Sequence, residues 1–233
     1  MSTEATEGTT TGQRFSLNGI DLYCEVRGTG EPLVLLHGFG GRGDDWRHVF
    51  DLDELARRHR LIVPDARGHG RSTNPDGPLT HRQCALDTAA LLDQLGVARC
   101  RAIGMSMGGN ILLHLATRER ERVSSMVLVS ATMYYPAAAR AIMRQTPGAE
   151  FLAGDYDDMS FTPPHLATIA ARTLIVYGDR DPLYPVEMAV EMYRAIPGAA
   201  LWVVPEGGHG PIFAGEDKAE FARRSLAFLT ASS

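Results

Sequence analysis

A serine between glycines is the residue of this sequence best placed for chemistry. The stretch GMSMGG covers 104–109 and puts Ser106 in a G-x-S-x-G spacing. An apolar run, CRAIGM, precedes it, and a helical pattern, GGNILLHLATRERE, follows it. A strand, a sharp turn and a helix form the context in which such a serine is held out on a strained bend as a nucleophile. The spacing therefore predicts nucleophilic catalysis by Ser106, and the alternative is an ordinary glycine-rich turn.

A serine hydroxyl needs a base to take its proton and an acid to orient that base. Of the eight histidines, His209 lies in the loop EGGHGP, between the last predicted strand and the last predicted helix. The stretch YGDRDPLYP offers Asp179 and Asp181 as the acid. We favour Asp181, because it precedes a proline at the start of a loop and can project across the strand ends. Asp179 is expected to tighten the turn after Gly178.

The tetrahedral intermediate of this chemistry needs two backbone N–H donors aimed at one oxygen. The first is expected from Met107, directly after the serine, where the start of a helix adds partial positive charge. The second is expected from Phe39, in the glycine-rich turn HGFGGRGDDW. His37 is interpreted as an anchor of this turn through hydrogen bonds. Asp65 and Arg67 are interpreted as a structural pair that braces the loops near the site.

The other histidines and the cysteines are expected to have structural roles. His69 is interpreted as a packing or rim residue. The remaining histidines are interpreted as surface or packing residues: His48, His59, His81, His114 and His165. The cysteines are odd in number and have no C-x-x-C spacing for metal or redox chemistry. They are interpreted as buried free thiols in a reducing cytoplasm: Cys24, Cys84 and Cys100.

Eight short apolar runs are expected to form the strands that position these residues. They cover 13–17, 21–28, 32–38, 59–65, 100–105, 124–130, 172–178 and 200–206. Asn-Gly between the first two suits a hairpin, and the later runs are continuous, as expected of strands buried on both faces. Helical patterns alternate with them, one starting with Thr80 and Gln83 in capping-box spacing. The pattern predicts an α/β fold, a mostly parallel sheet between helices, with chemistry at the carboxyl ends of the strands.

Composition narrows the class of protein. The chain has 233 residues, 44% of them hydrophobic and 22% charged, with a net charge of −5, which fits one globular domain. The negative charge disfavours nucleic acid and anionic membranes as partners, and no apolar run has the length of a membrane span. Residues 1–12 are polar and acidic, unlike a secretory signal, and are expected to form a disordered tail of a cytoplasmic protein. The glycine-rich turns match neither a Walker loop nor a dinucleotide motif.

Taken together, five motifs resemble those of the α/β-hydrolase fold superfamily, in particular its small serine esterases. They are HGFGG (37–41), DARGHGRS (65–72), GMSMGG (104–109), GDRDPLYP (178–185) and GGHGP (207–211), in the family's order. The resemblance implies an eight-stranded sheet with Ser106 as nucleophile, His209 as base and Asp181 as acid. It also implies the N–H groups of Phe39 and Met107 as the oxyanion hole. An aspartate in place of the serine would instead indicate dehalogenases or epoxide hydrolases.

The segment between the sixth and seventh predicted strands is shorter than the lid that family members usually insert there. The resemblance therefore divides the chain into a hydrolase core, 13–130 with 172–233, and a short lid insertion, 131–171. Apolar side chains of this lid either pack on the core or line an acyl pocket. The substrate-binding candidates are Met133, Tyr134, Ile142 and Met143.

The sequence thus predicts a serine hydrolase that cleaves a small-molecule carboxylic ester or lactone through an acyl-enzyme, without a metal or organic cofactor. Two alternatives stay open. The same triad can serve perhydrolysis, acyl transfer or hydrolysis of a carbon–carbon bond in a diketone, because the fold does not determine the chemistry. The chain can also be a ligand-binding or signalling protein with slow turnover. The sequence leaves the natural substrate and the oligomeric state open.

Overall fold

The computed structural model describes residues 11–74, 79–146, 158–213 and 217–231. This part of the chain contains a sheet of eight strands. They are β1 (Thr11–Leu17), β2 (Ile20–Arg27), β3 (Glu31–Leu36), β4 (His59–Pro64), β5 (Cys100–Met105), β6 (Val123–Val129), β7 (Arg172–Gly178) and β8 (Ala200–Val204). Each strand lies within two residues of its predicted bounds, so the apolar runs of the sequence were reliable guides.

Helices connect most of the strands. They are α1 (Leu52–Ala56), α2 (His81–Gln94), α3 (Met107–Arg118), α4 (Ala137–Gln145), α5 (Pro163–Leu166), α6 (Val186–Ala195) and α7 (Asp217–Thr230), and a 3₁₀ helix covers Gly43–His48. Helix α2 begins as predicted, since the side chain of Thr80 accepts the N–H of Gln83. None of the helices in the described ranges is both long and apolar enough to cross a bilayer.

The sheet is mostly parallel. Its strand order is β1-β2-β4-β3-β5-β6-β7-β8, and β2 runs antiparallel to both β1 and β4, while the other neighbours are parallel. Asn18 and Gly19 both have positive φ, 45° and 77°, which is the turn geometry that joins a tight hairpin. The predicted α/β-hydrolase fold, an eight-stranded sheet with helices on both faces, is confirmed.

Strand residues alternate between two hydrophobic clusters, one on each face of the sheet. Leu33 and Leu35 of β3 lie in a cluster with Phe221 of α7. Val34, between them, lies in the other cluster with Leu112 of α3. Burial on both faces explains why these strands read as continuous apolar runs rather than alternating ones.

Two of the predicted regions, the tail and the lid, include residues outside the described ranges. Strand β1 begins at Thr11, so positions 11 and 12 belong to the sheet rather than to the predicted tail, and 1–10 lie outside the described residues. The predicted lid, 131–171, contains α4 and α5, and its positions 147–157 lie outside the described residues. The division into core and lid stays a prediction.

Candidate active site

Ser106 lies on a strained bend between β5 and α3. Its φ of 49° and ψ of −111° place it outside the regions that residues with a Cβ normally occupy. Its N–H donates to the carbonyl of Val129 at 2.7 Å, which ties the bend to the neighbouring strand β6. A backbone of this kind costs about 1–3 kcal/mol and persists only when the surrounding structure enforces it.

Glycines on either side make this bend possible. A Cβ built on Gly104 would lie 2.5 Å from the carbonyl carbon of Gly108, and one built on Gly108 would collide with the backbone of Leu36. Both contacts involve main-chain atoms, which cannot move aside as a flexible side chain can. The G-x-S-x-G spacing therefore reflects how closely α3 approaches β5 and β3 at this point.

His209 and Asp181 join Ser106 in one hydrogen-bonded series. The three residues follow β8, β7 and β5, whose carboxyl ends lie at the same edge of the sheet. The Nε2 atom of His209 lies 3.0 Å from the Oγ atom of Ser106. Its Nδ1 atom lies 2.8 Å from the Oδ2 atom of Asp181. The arrangement is that of a nucleophile, a base and an orienting carboxylate.

The carboxylate of Asp181 is fully buried, and its second oxygen is held by the backbone. Its Oδ1 atom accepts the N–H groups of Leu183 and Tyr184 at 2.8 and 3.1 Å. These bonds fix the carboxylate so that Oδ2 faces His209. The imidazole therefore contacts Asp181, whereas Asp179 is exposed.

Tyr184 also supports the imidazole directly. Its ring meets the His209 ring edge-on, with 5.3 Å between the ring centres. Burial raises the pKa of Tyr184 well above its ordinary value, so this hydroxyl stays protonated. This contact could not be predicted from the sequence, since a tyrosine in a loop has many other uses.

The two predicted N–H donors belong to segments close to the serine. Met107 is the first residue of α3, where backbone N–H groups have no acceptor within the helix. Phe39 lies in the loop after β3, and this loop comes close to the nucleophile, because a Cβ on Gly38 would be 3.8 Å from the Cβ of Ser106. Their role as an oxyanion hole stays a prediction.

His37 holds that loop, as the sequence indicated. Its Nε2 atom accepts the N–H of Ala66 at 2.9 Å, and its Nδ1 atom lies 2.7 Å from the carbonyl oxygen of Gly38. Since Nε2 acts as an acceptor, the ring is neutral in this arrangement. Burial lowers the pKa of His37 to about 4, despite its hydrogen bond to Gly38. A neutral, doubly hydrogen-bonded ring is consistent with an anchor.

The predicted pair of Asp65 and Arg67 is wrong. Arg67 makes two hydrogen bonds with Asp87 of α2, at 2.7 and 2.8 Å. Asp65 instead binds Arg71 at 2.7 Å and accepts the N–H of Gly43 at 2.8 Å. The chain leaves β4 after Pro64, so strand alternation no longer decides which way these side chains point. Each residue still braces a loop near the site. Arg67 does so through a partner 20 positions away, and Asp65 through one six positions away.

A buried polar cluster joins the start of α2 to residues of the segment 131–171, and it was not predicted from the sequence. Asp158 accepts two backbone N–H groups at the start of α2, from His81 and, at 3.2 Å, from Arg82. It also lies 2.9 Å from the Nδ1 atom of His81, whose Nε2 atom lies 3.1 Å from the hydroxyl of Tyr135. Burial opposes charge on Asp158, but the bond with His81 and the nearby imidazoles hold its pKa below the ordinary value.

The four substrate-binding candidates are divided between core and surface. Met133 and Met143 are buried, whereas Tyr134 and Ile142 are 38% and 40% exposed. A cavity of about 170 Å³ is lined by Met105, which precedes the serine, and by Phe39, but Ser106 is not among the described residues in its wall. None of the four candidates is among the described residues that line this cavity. Their assignment to the substrate stays a prediction.

Comparison with known families agrees with the fold. Residues 31–169, more than half of the chain, match the family model described as alpha/beta hydrolase fold. Residues 157–225 also match a model described as TAP-like protein. The chain belongs to the α/β-hydrolase fold family.

Individual relatives add information about activity. RutD of Azorhizobium caulinodans, provisionally named a carbamate hydrolase, is 39% identical over 47% of this chain and 41% of its own length. The dihydrolipoyllysine-residue acetyltransferase component of the acetoin cleaving system of Cupriavidus necator is 28% identical over 80% of this chain and 61% of its own. Both matches therefore span less than two thirds of the relative.

Among the solved structures with a similar fold is Est816, described as an N-acyl homoserine lactone degrading enzyme, with a TM-score of 0.79 and 25% identity. The match covers 93% of this chain and 100% of that chain. Relatives of this kind support hydrolase activity in the present chain.

Proposed function

We propose that this protein is a serine hydrolase that cleaves a carboxylic ester or lactone through an acyl-enzyme intermediate. The observation that carries the proposal is the hydrogen-bonded series of Ser106, His209 and Asp181, with distances of 3.0 and 2.8 Å. In this series each group has the neighbour that its role needs.

In the first step the Oγ atom of Ser106 attacks the substrate carbonyl. The Nε2 atom of His209 takes the hydroxyl proton and then passes it to the leaving alcohol. Asp181 accepts the Nδ1–H of the imidazole, which keeps Nε2 free to act as the base, and it stabilises the imidazolium that forms. The strained backbone at Ser106 keeps Oγ at the end of the sheet, where a carbonyl carbon can reach it.

The negative charge that develops on the carbonyl oxygen needs donors already in position. The N–H groups of Met107 and Phe39 supply them in this proposal, from the start of α3 and from the loop that His37 anchors. Such a donor is worth about 10²–10³ in kcat in enzymes of this chemistry. Water activated by His209 then attacks the acyl-enzyme and releases the acid, so each step uses side-chain and backbone groups of this chain.

The comparisons support an ester or lactone substrate. Est816 is described as degrading a lactone, and RutD is named for hydrolysis of a carbamate, which also has an acyl carbon bonded to a heteroatom. The three cysteines are buried and form no disulfide, which fits the reducing cytoplasm in which we place the reaction.

A burst assay tests this proposal. Wild-type protein with p-nitrophenyl acetate is expected to release about one equivalent of p-nitrophenol rapidly, followed by slower turnover, as an accumulating acyl-enzyme does. Ser106→Ala should lose the burst and lower kcat by at least about 10⁴-fold. Ser124→Ala is the matched control, because this half-buried serine on β6 donates to the carbonyl of Cys100, at the opposite end of the strand from the site.

Equal rates for wild type and Ser106→Ala would overturn the proposal and favour a binding protein instead. Adding an alcohol to the same assay measures acyl transfer, because a transferase would give more ester than acid. Adding hydrogen peroxide measures perhydrolysis, because a perhydrolase would give more peracid than acid.

A further inference from the structure

A second carboxylate and imidazole, His81 and Asp158, are paired away from the catalytic ones and are here called the remote pair. The Nδ1 atom of His81, at the start of α2, lies 2.9 Å from the Oδ2 atom of Asp158. A carboxylate can only accept, so Nδ1 carries the hydrogen, and Nε2 of the neutral ring is an acceptor. The hydroxyl of Tyr135 donates to this Nε2 atom at 3.1 Å. All three side chains belong to residues at most 7% exposed, so the remote pair acts through its neighbours rather than on a bound molecule.

Tyr135 connects the remote pair to Tyr184. The ring centres of the two tyrosines are 6.3 Å apart, and Tyr184 is only 1% exposed. Burial raises the pKa of Tyr184, and a side-chain hydrogen bond with Tyr135 adds to this, so Tyr184 keeps its proton and donates it to the Tyr135 oxygen. Because the proton of Tyr135 is given to His81, all donors in this series point the same way, from Tyr184 towards Asp158.

Asn110 holds Tyr135 from the side of the nucleophile. Its Oδ1 atom accepts the N–H of Thr132 at 2.9 Å, which leaves its Nδ2 atom to donate to the Tyr135 hydroxyl at 3.4 Å. Its backbone N–H donates to the carbonyl of Ser106 at 2.9 Å. The hydroxyl of Tyr135 is therefore fixed by residues of both α2 and α3.

At the other end of the series, Tyr184 contacts both partners of the nucleophile. Its ring lies edge-on to the His209 ring, and its N–H donates to the Oδ1 atom of Asp181 at 3.1 Å. A ring held against an imidazole limits the rotation of that imidazole. Small misplacements of a catalytic group slow catalysis strongly, even when their cause is far from the reacting atoms.

We propose that Tyr135 is a positioning residue for catalysis. It holds the hydroxyl of Tyr184, so that the Tyr184 ring keeps the imidazole of His209 aligned with the nucleophile. The remote pair anchors Tyr135 in turn. This inference rests on the proposed function and adds a group that controls the rate of acylation without touching the substrate.

The test follows the burst with p-nitrophenyl acetate, whose amplitude counts working active sites and so corrects for any loss of folded protein. Tyr135→Phe and Tyr184→Phe each break the link between the two tyrosines. Each should lower the maximal rate constant of the burst by about fivefold, because a misaligned base slows acylation. The substrate concentration that gives half of this rate should stay the same. The double variant should also lose only about fivefold, since both changes break one link.

An amide in place of the remote carboxylate tests the far end of the series. Asp158→Asn allows His81 to carry its hydrogen on Nε2, which then cannot accept the hydroxyl of Tyr135, so the burst rate constant should fall by about twofold or more. Ser125→Ala is the matched control and should keep the wild-type rate constant. Ser125 is 5% exposed and donates to the carbonyl of Leu229 at 3.2 Å, near the amino end of β6 and away from the site.

The outcomes distinguish the two proposals. If a burst persists in Ser106→Ala, the proposed function fails. If the burst depends on Ser106 but Tyr135→Phe keeps the wild-type rate constant, the positioning role fails and the proposed function stands. Losses that multiply to about 25-fold in the double variant would mean that the tyrosines act independently, which overturns the link.

Two further results would also count against the positioning role. A raised half-saturating concentration with an unchanged maximal rate would make the tyrosines contacts of the substrate. A wild-type rate constant in Asp158→Asn would separate the remote pair from catalysis. If Tyr135→Phe does not fold, Tyr184→Phe combined with Asp158→Asn tests the same series, because a connected series predicts a combined loss smaller than the product of the single losses.

Discussion

Ser106 combines an unfavourable backbone with a favourable side-chain position. Its φ of 49° costs free energy, but it directs Oγ to the imidazole of His209 at 3.0 Å. The carboxylate of Asp181 is hydrogen-bonded to the other ring nitrogen, and it accepts two backbone N–H groups that hold it in place. At the scale of residues, the site depends on groups fixed before any substrate arrives, which is how enzymes avoid reorganisation in the transition state.

Replacing Asp181 by asparagine tests the orientation of the imidazole. Asp181→Asn is expected to lower kcat by about 10³–10⁴-fold with little change in KM, because an amide favours the wrong tautomer and cannot stabilise the imidazolium. Steady-state kinetics with p-nitrophenyl acetate measure both constants. Asp179→Asn, two positions away on the exposed side of the turn, is the matched control and should keep wild-type kinetics. A large loss in Asp179→Asn with none in Asp181→Asn would assign the acid to the other aspartate.

Sequence reasoning succeeded where a residue's role follows from a local pattern. The glycines around Ser106, the order of the motifs and the proline after Asp181 all pointed to residues that the structure brings together. It failed for Arg67, whose partner Asp87 lies 20 positions away on a helix face. The choice of partner there depends on how loop and helix pack, which no local spacing encodes.

At the scale of elements, the start of α2 is bound by a residue that lies between α4 and α5. Asp158 accepts the first N–H groups of the helix, where a negative charge is favourable, and it also contacts the His81 ring. The sequence could not show this, because 77 residues separate His81 and Asp158. Strands and helices themselves were predicted well, since hydrophobic runs and capping residues act locally.

Removing the charge of Asp158 should loosen this tie. Asp158→Asn is expected to lower the free energy of unfolding by about 1–3 kcal/mol, because hydrogen bonds to a buried carboxylate are lost or weakened. Urea unfolding at neutral pH measures the change. Its pKa is lowered in the fold, so the stabilisation is complete above the unfolded pKa of about 4 and is lost as pH falls through the folded pKa.

The matched control for that experiment is Asp93→Asn. Asp93 binds Arg122 at 2.7 Å, but its side chain is 63% exposed, so the pair should contribute less than about 1 kcal/mol. Equal destabilisation by the two variants would contradict a special role for the buried carboxylate.

At the scale of the whole molecule, the sheet collects residues that are distant in sequence at one edge. Ser106, Asp181 and His209 follow strands β5, β7 and β8, and β3 neighbours β5 on the side away from β7 and β8. Parallel strands buried on both faces place all these carboxyl ends together. The topology followed from the alternation of strands and helices, whereas the buried contact between His81 and Asp158 depended on packing that only the structure shows.

Stability should depend on pH through His37. Its pKa is about 4 in the fold because the ring is buried, against about 6.5 when unfolded, so the unfolded chain binds more protons between these values. The free energy of unfolding should therefore fall as pH drops from 6.5 to 4, by of order 3 kcal/mol from this group. Denaturant unfolding across this range, with His37→Gln against the exposed His48→Gln, measures it. The same acid sensitivity in His37→Gln as in wild type would contradict the assignment.

The acyl-enzyme itself is the most direct test of the central claim. Protein quenched with acid during turnover of p-nitrophenyl acetate is weighed by intact mass spectrometry, and the modified peptide is then sequenced. We predict an added mass of one acetyl group on Ser106, absent from Ser106→Ala and retained in Ser124→Ala. Turnover without an adduct on Ser106, or an equal adduct in Ser106→Ala, would contradict nucleophilic catalysis at this bend.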